Sequence, residues 1–280
     1  MNWALWRKAV SDVWRLLVVC SGLLVLFAWA FVWFTSLFQL GVWGALLNAL
    51  PNALQSLFGV PVARLATPAG QLSLIYVHFV TMVVCVGWAV GRGSDPISGE
   101  IGRGTMELLL TLPVRRVSVL LIPAVFSTLG AAVLAASLWL GTWLGTLTVA
   151  AHRATGAGQF LPGAVNVFAL TFCLTGITAL LSSWDHNRWR AMSLSVGIVV
   201  VSFLLRLVAR ISQAGGWARH LEWLKYATFL TAFEPQQLIL MPDAAKSLAW
   251  QYHGTLIGIG LACYATGAVI FTVRDIPQPR

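Results

Sequence analysis

Apolar runs long enough to cross a lipid bilayer recur six times along this sequence, at about residues 16–34, 72–90, 117–149, 164–181, 191–208 and 255–273. A bilayer core about 30 Å thick needs about 20 apolar residues per helix. Lipid offers no hydrogen bonds to the backbone, so each span must be a helix or part of a closed barrel. Barrel strands alternate apolar and polar residues. These runs are apolar throughout, which predicts an all-α, polytopic membrane protein with six transmembrane helices. Only 10% of the 280 residues are charged and 58% are hydrophobic. A soluble domain carries about 25% charge, so too little polar surface is available for a water-exposed globule.

The connections complete the expected topology. Residues 1–14 place Trp3, Trp6, Val10 and Val13 at helical spacing, with Lys8, Ser11 and Asp12 elsewhere on the wheel. That pattern predicts an amphipathic elbow helix in the membrane interface. Arg7 and Lys8 followed by Ala28-Trp29-Ala30 resemble a signal peptide. The apolar run continues to Phe34, however, so an uncleaved first span is expected. Residues 35–71 form an outer connection punctuated by Gly41, Pro51, Gly59, Pro61 and Pro68. The run after Arg116 is read as one long, tilted third helix, bent near Pro123 or Gly130. A second long outer segment covers 209–253. All 280 residues are expected to make one membrane domain.

The net charge of +9 suits nucleic acid on a soluble protein, but here the cations sit mainly at span ends. The positive-inside rule and anionic headgroups account for them, and no nucleic-acid partner is expected. Arg7, Lys8, Arg15, Arg92, Arg103, Arg115, Arg116, Arg188, Arg190, Arg274 and Arg280 share one side with the N-terminus. Most of the others fall in the long loop 209–253, where the rule is weaker. The bias predicts a multi-pass protein of the cell (inner) membrane with both termini cytoplasmic.

Chemistry-bearing motifs are few. Lys8, Lys225 and Lys246 are the lysines, and none follows a glycine, so a GxxxxGK[ST] phosphate loop is excluded. HExxH and GxSxG do not occur. No catalytic residue, metal site or cofactor is expected in this chain. Cys20, Cys85, Cys173 and Cys263 all lie in apolar runs and read as small packing residues. His78 lies mid-span, either as a proton or ligand site or as a histidine bonded to a neighbouring helix. Arg206 and Arg210 end the fifth span, where snorkelling to headgroups is expected. Gly141-xxx-Gly145 and Gly254-xxx-Gly258 are candidate close helix contacts.

One segment differs in character. Asp95 to Arg116 carries charges of both signs among Ile97, Ile101, Met106, Leu108, Leu109 and Leu112. Asp95 or Ser98 can cap a short surface helix that Pro113 ends. The run SGEIGRGTMELLLTLPVRR resembles the signature of the type-2 ABC transporter permeases, roughly S-G-E-x-x-x-G-T-[LM]-E-L-L-L-[ST]-x-P-[VI]-x-R after the second span. Ser98, Gly99, Glu100, Gly104, Thr105, Met106, Glu107, Leu108, Leu109, Leu110, Pro113, Val114 and Arg116 match it. Gly102 replaces a usually charged position, and the first outer loop is longer and more apolar than is typical.

The resemblance implies that Glu100–Leu110 contain or adjoin a coupling helix that docks into a separate cytoplasmic ATPase. Glu100, Arg103 and Glu107 would then make surface ion pairs, with Met106 and Leu109 as apolar anchors and Gly104 and Thr105 between them. By topology, the turn 182–190 with Trp184, Asp185 and Arg188 is a second inner contact. The implied function is the permease subunit of an exporter, forming the pathway as a dimer with a second copy or a related permease. ATP and Mg would belong to the partner ATPase. Two alternatives stay open: a lipid-modifying membrane enzyme using His152, Arg153, Asp185 and His186, or an envelope assembly factor without transport.

Overall fold

A computed structural model of the protein describes residues 3–106, 108, 116–215 and 219–273. Among them no strand forms, and six helices are long and apolar enough to cross a membrane. Nine helices carry the description below: α1 Trp3–Ser36, α2 Leu40–Asn48, α3 Pro68–Ser73, α4 Phe79–Ser94, α5 Arg116–Thr148, α6 Leu161–Trp184, α7 Arg188–Gly215, α8 Pro235–Leu240 and α9 Pro242–Val273.

Helix α1 is unbroken over 34 residues. The expected elbow is therefore not a separate element. At 1.5 Å per residue this helix is about 51 Å long, well beyond the hydrocarbon thickness. No proline interrupts it, so the amphipathic first turns simply continue into the span. Ala9, Val13, Leu24, Ala28 and Val32 form its buried stripe. That stripe packs on α5. A Cβ added at Gly141 would lie 2.5 Å from the Val25 carbonyl oxygen, and one at Gly145 would lie 2.6 Å from Val32 Cβ. The first of the two predicted glycine motifs is thus a close helix contact. The second is not: nothing approaches Gly254 or Gly258 within 4 Å. Instead Gly260, one residue pair further along α9, meets Gly176 of α6, where an added Cβ would stand 2.6 Å from the Gly260 oxygen.

Helix α5 is one long helix with Pro123 inside it, as expected. Ser127 and Thr128 donate to the Pro123 and Ala124 carbonyls near the proline. Helix α6 is the central member, with 72% of its apolar window buried, against 17% for α1 and α7. Its threonines 171, 175 and 178 are buried and donate back to carbonyls four residues earlier. Each polar side chain is thereby satisfied within its own helix.

The second span departs from the expected uninterrupted 72–90 helix. It begins at α3, where Thr67 caps and Pro68 takes the first position. A 3₁₀ stretch, Leu74–Val77, follows. His78 is extended, with φ −64° and ψ 148°, and the span restarts as α4. The His78 Nδ1 accepts from the Val80 N–H at 3.2 Å, and Thr81 donates to the Ile75 carbonyl at 2.7 Å. These bonds satisfy groups that a helix break frees inside a membrane. His78 is therefore bonded to its own chain rather than to a neighbouring helix. Its ring packs by Phe27 and Phe31.

The two ends of the bundle carry its charge. Arg188 and Arg206 lie on α7 about 27 Å apart along the helix axis, one at an end marked by Asp95 and the other at an end marked by Glu234. Arg206 and Arg210 do not snorkel. Both turn inward to Glu234, whose side chain is 8% exposed. Arg206 reaches the carboxylate at 2.6 Å and the Phe233 carbonyl at 2.7 Å. Arg210 pairs with Glu234 and the Leu57 carbonyl. A buried carboxylate draws a cation more strongly than hydrated headgroups can.

Candidate functional site at the Asp95 end

The signature segment folds differently from a free-standing surface helix. The second span runs past its expected end. A π-helical turn, Asp95–Gly99, follows α4 and leads into a last helical turn, Glu100–Gly102. Asp95 and Ser98 thus cap no new helix. Pro96 lacks an N–H and cannot join a regular ladder, and a π turn accommodates such a defect. The groups it leaves open are met from α6. Ser182 Oγ donates to the Ser94 carbonyl at 3.1 Å and accepts from the Ser98 N–H at 3.0 Å.

Gly104 ends the helix. It adopts φ +70°, a conformation that favours glycine. Its N–H donates to Ile101 and the Thr105 N–H donates to Glu100, the paired bonds of a Schellman cap. The chain then reverses, so that Met106 folds back. It is buried against Ile97, Val119, Leu120 and Phe271. Met106 is therefore a core residue and not an exposed anchor. Leu108 is 68% exposed instead. Glu107 and Leu109 lie outside the described residues.

Glu100 is 5% exposed, not a surface ion-pair residue. Its carboxylate accepts from Lys8 at 2.8 Å, Arg103 at 2.6 Å and Thr105 at 2.6 Å. Asp95 is a second hub. It meets Arg92 at 3.3 Å, Arg103 at 2.9 Å and Arg188 at 3.4 Å. Burial works against the Arg103 charge, but Asp95 and Glu100 outweigh it and hold its pKa above the ordinary value. Lys8 joins this cluster from α1, because the continuous helix carries it down to the same level.

The structure therefore brings Glu100, Arg103, Gly104 and Thr105 together with Arg188 of the second expected contact. Asp185 does not join them. Its Oδ1 accepts from the Asn187 N–H at 2.9 Å and shapes the turn into α7. Trp184 and Trp189 flank that turn, 71% and 75% exposed. Sequence reading missed Lys8, Asp95 and Ser182 as site residues. Asp95 stood in the signature segment, but only the fold shows that three arginines from three places converge on it. His152 and His186, two of the alternative enzyme candidates, are not brought together. His152 Nε2 lies 3.3 Å from Thr35 Oγ1 at the far end of α1. His186 sits beyond α6, a helix of 24 residues that separates the two.

Four segments are cross-braced by charge at one bundle end, with apolar side chains projecting beside them. Comparison with curated proteins returns no match. The family model described as ABC-2 family transporter protein matches residues 6–276, nearly the whole chain. With six membrane-length helices and this signature segment, the chain belongs to the ABC-2 transporter permease family, as a multi-pass membrane subunit of an ABC transporter.

Proposed function

We propose that this chain is the permease of an ABC exporter, working as a dimer and driven by separate ATPase subunits docked at the Asp95 end. ATP and Mg act in those partners, and this chain hydrolyses nothing. Both termini face the cytoplasm and the ATPase, in keeping with the Arg and Lys bias toward that side. The observation that carries the reading is the brace itself. Asp95 and Ser182 tie the end of the second span to the turn between α6 and α7, so a push on either turn moves both. Arg103, Leu108, Trp184 and Trp189 project from this block and supply the apolar and cationic contacts typical of interface anchors.

The test is co-purification of the ATPase with the full-length permease. Leu108→Asp and Trp189→Asp each weaken ATPase retention by about 30-fold, the effect of losing a strong anchor of about 2 kcal/mol. Membrane insertion stays intact in both, since neither residue is in the core. ATPase retention unchanged in both variants refutes the docking assignment. Labelling of an Arg103→Cys variant from the side opposite the nucleotide refutes the topology.

A further inference from the structure

A cavity of about 750 Å³ lies between α4, α6 and α7 toward the Glu234 end. Its size is that of a site for a small ligand. Met82, Val86, Leu170, Leu174, Val199 and Phe203 give it an apolar wall. Phe79, Val200 and Phe203 line it and are also well exposed, so it opens sideways at membrane depth. Arg206, Arg210 and Gln236 line its polar end.

That polar end is under-supplied with acceptors. Among the described residues, two guanidinium groups share the single Glu234 carboxylate, which leaves one positive charge in excess. The Arg206 Nε and Gln236 Nε2 donors are shielded and have no acceptor. Gln236 is 95% buried, since only 5% of it is exposed. Buried donors without partners are costly, and an anion satisfies them with charge-assisted bonds. A second copy of this chain is a poor occupant. Two-fold symmetry would set the same cationic end against itself.

The geometry points to a binding site for an anionic amphiphile, taken from the bilayer, whose apolar tail fills the cavity and whose phosphate or carboxylate head meets Arg206, Arg210 and Gln236. Binding needs only the membrane-embedded chain, so it stands or falls apart from the ATPase docking proposed above.

The experiment uses full-length protein in phosphatidylcholine nanodiscs and a pair of probes with the same diazirine-bearing alkyl tail. One probe is an alkyl phosphate and the other is the matching alcohol. The phosphate probe labels Met82, Leu174 or Phe203 at least about tenfold more than the alcohol, the ratio expected from one or two charge-assisted bonds. Gln236→Leu removes most of this preference and leaves alcohol labelling unchanged. Val200→Trp, on the exposed lip and away from Glu234, blocks both probes and serves should Gln236→Leu fail to fold. Excess inorganic phosphate does not compete. The site assignment is overturned by equal labelling with both probes, by a Gln236→Leu variant with full preference, or by competition from inorganic phosphate. Absence of labelling together with cross-links between copies at Val200 assigns the groove to a second copy and overturns it as well.

Discussion

Replacing Glu100 with alanine removes one acceptor that three donors share. Each bond to a charged group contributes about 1.5–3 kcal/mol, but the three losses do not add. Lys8 and Arg103 are 41% and 43% exposed and rehydrate when released. Arg103 also keeps Asp95 at 2.9 Å, and Thr105 keeps the Glu100 carbonyl at 3.3 Å. The expected cost is therefore about 2 kcal/mol, well under the sum. Lys8→Ala removes only a half-exposed partner and costs under about 1 kcal/mol. The Lys8→Ala, Glu100→Ala double variant comes out about 0.5–1 kcal/mol more stable than additivity predicts. Unfolding of the purified protein by titrating denaturing into mild detergent measures all three. If Lys8→Ala destabilises as much as Glu100→Ala, Glu100 is not the hub of the cluster. If the double variant is additive, α1 is not tied to this segment.

Gly176→Ala forces a methyl onto the Gly260 backbone and costs about 1–3 kcal/mol in the same assay. Gly258→Ala meets nothing within 4 Å and gains up to about 1 kcal/mol of helix propensity. Gly104→Ala places a side chain at φ +70° and costs about 1 kcal/mol; the same change weakens ATPase retention, because the reversal that projects Leu108 shifts. Burial holds the His152 imidazole below its ordinary value of about 6.5. Its contribution is thus complete above that pH and is lost as pH falls below it, by at most about 1.4 kcal/mol per unit. His152→Gln flattens this part of the stability profile. An unchanged profile would assign the acid sensitivity to other groups.

Much of the fold was legible because a bilayer leaves few choices. Uncharged runs of the right length fixed the spans, and α5 is a single helix as its unbroken run implied. The breaks were harder. Nothing in 72–90 announces that His78 is extended, because local bonds from Thr81 and its own ring stabilise it only once folded. Residues 1–14 read as a separate helix because amphipathicity marks a face, not a boundary, and no proline or glycine separates them from the span. The signature segment showed where the site lies but not its inner order. Met106 and Glu100 alternate with exposed residues, yet both are buried, since the Gly104 reversal folds one back and the converging cations enclose the other. Arg206 and Arg210 misled for a related reason. Their partner Glu234 is distant in sequence, and a carboxylate met only through tertiary structure leaves no local trace.

The extended residue at position 78 also settles how far a displacement can travel. An uncut rod would carry axial motion from Asp95 to the opposite face almost unchanged. Here the helical ladder is interrupted at His78, between the 3₁₀ stretch Leu74–Val77 and α4. What α4 cannot deliver lengthwise it delivers sideways, where Gly93 lies so close to Thr178 that an added Cβ would stand 2.6 Å from its Cβ, and where Ser98 grips Ser182. The central, most enclosed helix is thus tied to the charged brace alongside α1 and α7.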